Sequence, residues 1–242
     1  MTELKLRTLL ITGSNRGIGF EFVQKFVNMQ NPPQKIFATC RDPDAQQSQE
    51  LKKFAEKHPN VKVIQLDATD PVSVKASVAE VEKHLNGQGL DLLINNAGIL
   101  TQNTLETQTP EDMMHVYNVN VVGPMLVTQA YYPLLKRSGI ASSGKSAIVD
   151  ISALLGSLQD LPNLFTHLPV ISYRCSKVRD VVDRLTPTAG AHRPILQPKI
   201  FVRSAWGLFF MDITTNHLWH IFSKISYPLS RIRCVHCHMQ SQ

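Results

Sequence analysis

Thr12-Gly13-Ser14-Asn15-Arg16-Gly17-Ile18-Gly19 sets three glycines between an apolar run and a segment in which Phe22, Val23, Phe26 and Val27 repeat at helical spacing. Glycines at such a junction permit a tight turn and let the backbone approach a pyrophosphate. The free N–H groups and positive end of the following helix favour its charge. A plain structural loop is the alternative, and the agreement of strand, turn and helix favours the anion cradle. Gly13, Ser14, Asn15, Arg16, Gly17, Ile18 and Gly19 are its candidate contacts.

The second expected strand ends at Thr39-Cys40-Arg41-Asp42. A site for NAD(H) offers a carboxylate there to take the ribose hydroxyls, which Cys40 cannot do. Arg41, with Arg16 from the glycine turn, could flank a 2′-phosphate. Asp42 keeps the NAD(H) reading open, so the residues place NADP(H) ahead of NAD(H). Asp67, after the third expected strand, either contacts an adenine edge or caps the next helix.

Tyr173 and Lys177 stand four apart, on one face of a helix if one forms there. A phenol with an ordinary pKa near 10 is a poor base at neutral pH, and an adjacent ammonium favours its phenolate. A Tyr and Lys at this spacing are common by chance as a surface pair; their place just after the fifth expected strand is what singles them out.

The elements that must position these residues are legible from residue 7 to about 151, where short apolar runs alternate with helix-period segments in the pattern of βαβ units. Strands are expected over Leu9–Thr12, Ile36–Thr39, Val61–Leu66, Leu92–Asn95 and Ala147–Ser152, each apolar on both sides as in a parallel sheet covered on two faces. Asp70 caps a helix with Pro71 in its first turn, Val74, Val78, Val81 and Leu85 along one stripe, and Asn86-Gly87 at its end. Another helix starts at Thr109-Pro110 with Asp112 in the capping-box position, and its Met113, Val116 and Asn120 share a face, so Asn120 is expected to point inward.

After Tyr173 the pattern weakens. Val178, Val181, Val182 and Leu185 extend a helix, Pro187, Pro194 and Pro198 interrupt the segment beyond it, and Lys199–Val202 reads as one further strand. Trp206–Met239 shows neither strand nor helix period. The fold class expected is therefore a Rossmann-type, doubly wound α/β sheet over residues 1–177, with an atypical, incomplete or irregular region over 178–242.

Composition agrees with an ordered domain: 242 residues, 43% apolar and 18% charged. The net charge of +6 is unevenly placed, since residues 1–173 carry 15 basic and 16 acidic side chains and residues 174–242 carry 10 and 3. The basicity thus belongs to the C-terminal part and gives no ground for a nucleic-acid partner. No signal-peptide core opens the chain, and Arg203, Asp212 and His217 cut the most apolar stretch, Ile200–Phe222. A soluble cytoplasmic protein with no membrane partner is expected. Four cysteines do not make a disulfide framework. Cys234-Val235-His236-Cys237-His238, even with His217 and His220, lacks the second ligand pair of a metal site, and no metal is expected.

By its Thr-Gly-x-x-x-Gly-x-Gly turn, Asn95-Asn96-Ala97-Gly98, Asn120 and Tyr173-Arg174-Cys175-Ser176-Lys177, the chain resembles the short-chain dehydrogenase/reductase family over roughly residues 7–177, most nearly its small C-factor or sniffer-like carbonyl reductases. The resemblance implies hydride exchange between NADP(H) and a small-molecule carbonyl or alcohol. Tyr173 would serve as proton donor, Lys177 would support it and hold the nicotinamide ribose, and Asn120 would anchor a relay water. Asn95, Ala97 and Gly98 would shape the strand end beneath the cofactor. Family members place a serine three residues before a glycine after the fifth strand; counting back from Gly156 gives Ala153, with Ser152 one position earlier. A one-residue shift on a strand turns a side chain to the other face, so Ser152 is the candidate oxyanion donor only if the local backbone compensates. Ser157 would substitute only if its loop folds back. The family's Pro-Gly turn over the nicotinamide is missing after Lys177, and the helices and strand that the family uses for association are partly missing with it, so a homo-oligomer is doubtful for this chain.

Overall fold

Thr8–Ile11 is buried at every position, and alternate side chains of such a strand need an apolar layer on each face. The computed structural model, which describes residues 6–141, 146–156, 169–182, 200–204 and 207–211, supplies both. Leu9 and Ile11 pack with Phe22, Val23 and Phe26 of helix α1 (Gly17–Val27) and Leu51 of α2 (Gln49–Lys57). Leu10 faces the other way, onto Val74, Val81 and Leu85 of α3 (Pro71–Leu85) and Val127, Tyr131 and Leu134 of α5 (Gly123–Ala141). The chain is a Rossmann-type α/β protein.

Strands β1 (Thr8–Ile11), β2 (Lys35–Cys40), β3 (Val61–Gln65), β4 (Leu92–Asn95) and β5 (Ala147–Asp150) pair in parallel in the order β3-β2-β1-β4-β5. The order reverses between β1 and β4, so the loops after these strands flank a crevice at their C-terminal ends. Helix α4 (Pro110–Tyr117) runs into a π-helical turn, Asn118–Val122, before α5, and α6 (Ile171–Val182) follows β5.

Three expectations are corrected. Val61–Gln65 is not apolar on both sides: as an edge strand it exposes Lys62 and Gln65. The fifth strand ends at Asp150 rather than Ser152. The strand expected at Lys199–Val202 is Ile200–Ser204 (β6), and it pairs antiparallel with Gly207–Met211 (β7), inside the stretch read as patternless, in a separate two-stranded sheet. Ser157, Leu185, the prolines at 187, 194 and 198, His217, His220 and the Cys234–His238 cluster lie outside the described residues. No helix among the described residues is long and apolar enough to cross a membrane.

Local signals act as expected at α3, where the Asp70 carboxylate accepts from Val72 N at 2.9 Å and Ser73 N at 3.2 Å and Asn86 ends the helix in a left-handed conformation. Only half of the box forms at α4. Thr109 Oγ1 accepts from Asp112 N at 3.2 Å, but the Asp112 carboxylate turns to other partners.

At the opposite end of the sheet from the crevice, Asp91 gathers the starts of β1 and β4. Its carboxylate accepts from Arg7 N and Nη2, both at 2.8 Å, from Thr8 N at 3.3 Å, and from Ser138 Oγ of α5. The Asp91 side chain is 7% exposed, so removing it strands a guanidinium and several buried donors. Asp91→Ala is expected to cost about 3 kcal/mol of unfolding free energy. Glu82→Ala, which breaks the exposed pair with Arg137, should change it by less than about 0.5 kcal/mol. Urea titration of both variants checks the contrast; equal losses would refute the reading of Asp91.

Candidate active site

The glycine turn is built against the end of β4. Gly13 and Gly17 adopt φ values of +66° and +58°, a left-handed region that side chains oppose. At Gly19 closeness rather than torsion is decisive, since a Cβ would stand 2.2 Å from the Gly13 carbonyl oxygen and 2.5 Å from Asn96 Nδ2. Asn96 Nδ2 donates to the carbonyls of Thr12 and Gly13 at 2.9 and 3.0 Å, and Thr12 Oγ1 accepts from the amides of Asn96 and Ala97, both at 3.0 Å. Ser14 is fully buried, its Oγ on the Ile11 carbonyl and its N–H on Thr39 O.

The turn leaves room for an anion. A Cβ at Gly17 would meet nothing within 4 Å, and Arg16, the N-cap, makes no side-chain cap to α1. The starts of α3 and α4, by contrast, are capped by Asp70 and Thr109. Gly17 therefore owes its lack of a side chain to torsion and an open approach rather than to packing, which fits a phosphate-bearing group.

Ser14 N bonds Thr39 O at 2.8 Å, which brings the end of β2 to the turn. Arg16 and Arg41 are both exposed on this rim, while Cys40 is buried. Burial pushes the Cys40 thiol up, against a hydrogen bond with Ser48 that lowers it. Asp42 Oδ1 is held by the amides of Asp44 and Ala45, at 2.9 and 3.2 Å, and so closes its own loop. Asp67 Oδ1 accepts from Thr69 N and Oγ1 at 2.9 and 2.7 Å; it does not cap α3, which Asp70 does.

Beyond β4 the expected reactive groups converge. Lys177 Nζ donates to Ile151 O at 2.7 Å and lies 5.7 Å from the Tyr173 ring centroid, and Ile151 N is bonded to Asn95 O at 3.0 Å. Lys177 is 8% exposed. Asn120 is buried on the π-helical turn, and its Nδ2 donates to Ile99 O at 2.9 Å and Ser176 Oγ at 3.0 Å while Oδ1 accepts from Ile99 N. Gly98 sits where a Cβ would stand 3.2 Å from Asn120 Oδ1. Asn95 Nδ2 reaches across to Asp150 and Thr128.

Gly156 N bonds Ala153 O at 3.0 Å, so the turn after β5 puts Ala153 three residues before the glycine. Ser152 and Ala153 are both buried, at 2% and 5%.

A model of short chain dehydrogenases matches residues 7–177, and the chain belongs to that family. It is 49% identical to the NADPH-bound carbonyl reductase from chicken fatty liver, with a TM-score of 0.69 over 72% of this chain and 70% of that one. The carbonyl reductase Sniffer of D. melanogaster is 32% identical, with a TM-score of 0.66 and the same coverages, 72% and 70%. An uncharacterized oxidoreductase of Schizosaccharomyces pombe is 34% identical over 132 residues, 54% of this chain and 50% of that protein. The chain spans about half the length of the curated relatives it matches.

Sequence reasoning passed over Thr12 Oγ1, the Asn96 side chain and Ser176. The first two sit inside recognised motifs, but their role is to bond one motif to the other across the sheet. Gly19→Ala is expected to cost about 3 kcal/mol through its clash with backbone, against about 1–2 kcal/mol for Gly17→Ala, whose methyl group meets only torsional strain. Chemical denaturation of the two variants measures this, and the reverse order would contradict the packing at the turn.

Proposed function

We propose that the chain is an NADP(H)-dependent oxidoreductase acting on small-molecule carbonyls and alcohols, with Tyr173 as the acid. The observation that carries this reading is Lys177: a buried ammonium beside the Tyr173 ring, anchored on Ile151 O at the crevice end of β5. When bound, the nicotinamide supplies the hydride. Tyr173 gives its proton to the carbonyl oxygen, and the Lys177 ammonium stabilises the phenolate that this leaves. Both Nδ2 hydrogens of Asn120 are taken, so a relay water is held there through an oxygen, either Oδ1 or the main-chain carbonyl. Gly13, Ser14, Asn15, Gly17, Ile18 and Gly19 cradle the pyrophosphate, while Asn95, Ala97 and Gly98 form the floor.

The preference for NADP(H) rests on the exposed Arg16 and Arg41 and on Asp42, whose Oδ1 serves its own loop. The NADPH bound by the chicken carbonyl reductase supports it. Asp67, two residues beyond β3, is assigned to the adenine edge.

A second reading, a nucleotide-binding chain of low activity, is favoured by Ala153. Ala153, three residues before Gly156, stands where the family places its serine, and Ser152 lies one position earlier, beyond the end of β5. A missing oxyanion donor costs on the order of 10²- to 10³-fold in rate. Ala153→Ser should therefore raise kcat on a simple ketone or aldehyde by on the order of 10²-fold, and Tyr173→Phe in that background should remove the gain. An unchanged kcat in Ala153→Ser would mean that the missing hydroxyl is not what limits turnover and that the reductase machinery fails elsewhere in the chain. Thermal unfolding adds a test independent of turnover: NADPH in large excess should raise the transition, NADH should raise it less, and Arg41→Ala should reduce the difference. Equal shifts with both cofactors would overturn the assignment of Arg41.

A further inference from the structure

Directly before Tyr173, three oxygens from three segments meet. Asp112 Oδ2 accepts from Thr101 Oγ1 at 3.0 Å and from Ser172 Oγ at 2.9 Å, and the two hydroxyl oxygens are 2.9 Å apart. Two hydroxyl hydrogens fill two of these three edges at a time: with both on Asp112 the carboxylate takes two donors, and either hydroxyl can turn to the other in exchange. Gln108 Nε2 adds a bond of 2.8 Å to the same oxygen. Hydrogen bonds, from Gln108 first and then Ser172 and Thr101, hold the Asp112 carboxyl below the usual carboxylate range against a smaller opposing effect of burial.

The position of this charge is informative. Asp112 lies in the first turn of α4 and Ser172 in the first turn of α6, so one carboxylate faces the N-terminal ends of two helices, where their dipoles favour it. A second fastening joins the same segments, since Asn103 N donates to Pro169 O at 2.8 Å and Asn103 forms a parallel bridge with Val170. The loop that carries Thr101 also carries Ile99, whose backbone holds the Asn120 amide.

We propose that Asp112 is a positioning residue for the reduction: its carboxylate fixes the first turn of α6, and with it Tyr173, against the loop that leaves β4. The proposal rests on Tyr173 being the proton donor. A displacement of about 1 Å at a reacting group costs up to about 10²-fold in rate, so loss of the clamp has a kinetic signature distinct from loss of cofactor binding.

The test compares Asp112→Ala and Asp112→Asn in the Ala153→Ser chain, by steady-state kinetics with NADPH and by amide hydrogen exchange over residues 170–176. Asp112→Ala is expected to lower kcat by about 10- to 100-fold with the KM for NADPH unchanged, and to speed exchange at Arg174, whose amide bonds Val170 O at 3.0 Å. Asp112→Asn, which keeps an acceptor oxygen, should recover most of both. Unchanged exchange or unchanged kcat in Asp112→Ala overturns the proposal, as does Asn proving no better than Ala. If neither the unaltered chain nor Ala153→Ser turns over while both bind NADPH, the reductase reading fails. The positioning role then falls with it, and any exchange difference marks a clamp that is structural only.

Discussion

Everything at the crevice depends on one close approach of backbones. The glycine turn after β1 lies so near the end of β4 that a Cβ at Gly13 would stand 2.9 Å from Ala97 Cα. Contact this tight leaves no space for water, so every polar group in it needs a partner within the protein. Thr12 Oγ1 and Asn96 Nδ2 supply them, the first accepting from the amides of Asn96 and Ala97 and the second donating to the carbonyls of Thr12 and Gly13. The two motifs are thus halves of one hydrogen-bonded unit. The same unit sets the start of α1, whose N-cap Arg16 makes no side-chain cap, directly after the turn.

From there order passes along the sheet to α6. Asn95 O receives Ile151 N, Ile151 O receives the Lys177 ammonium, and Asn120 ties the loop after Gly98 to Ser176. Ser176 Oγ in turn donates to the Tyr173 carbonyl at 2.7 Å, so the turn of helix between phenol and ammonium is pinned from inside and out. Lys177 is held at both ends of its side chain, because the backbone of Gly156 packs so closely on it that a Cβ there would lie 2.8 Å from its main-chain carbonyl. A lysine confined in this way keeps its charge in one place beside the tyrosine, where a freely rotating one would be solvated and weaker in effect.

Legibility in the sequence tracks the range of the interaction. Asp70 and Asn86 act on amides and torsions within a few residues, and the cap and the left-handed end stand where the pattern put them. The left-handed Gly13 and Gly17 and the inward side of Asn120 were likewise readable from spacing along the chain. Exposure of Lys62 and Gln65 was not, because whether a strand lies at an edge depends on strand order, which no single strand encodes. The π-helical turn at Asn118–Val122 and the pairing of Ile200–Ser204 with Gly207–Met211 are likewise settled by packing and by cross-strand register. Asp112 shows the limit most clearly. Its spacing from Thr109 suggested a capping box, yet Ser172, 60 residues away, takes its carboxylate because that partner also stands at a helix start.

The register after β5 shows why one side chain weighs so heavily here. Gly156 has to stay where it is, since its contact with Lys177 admits no Cβ, and its amide bond to Ala153 O then fixes which residue lies at the turn. Sliding Ser152 into that position would require lengthening the turn by one residue and would carry Ile151 O away from the Lys177 ammonium. The geometry that holds the lysine is therefore the geometry that keeps Ser152 out. Ala153 is itself 5% exposed, so a substituent added there would lie inside the same packed corner.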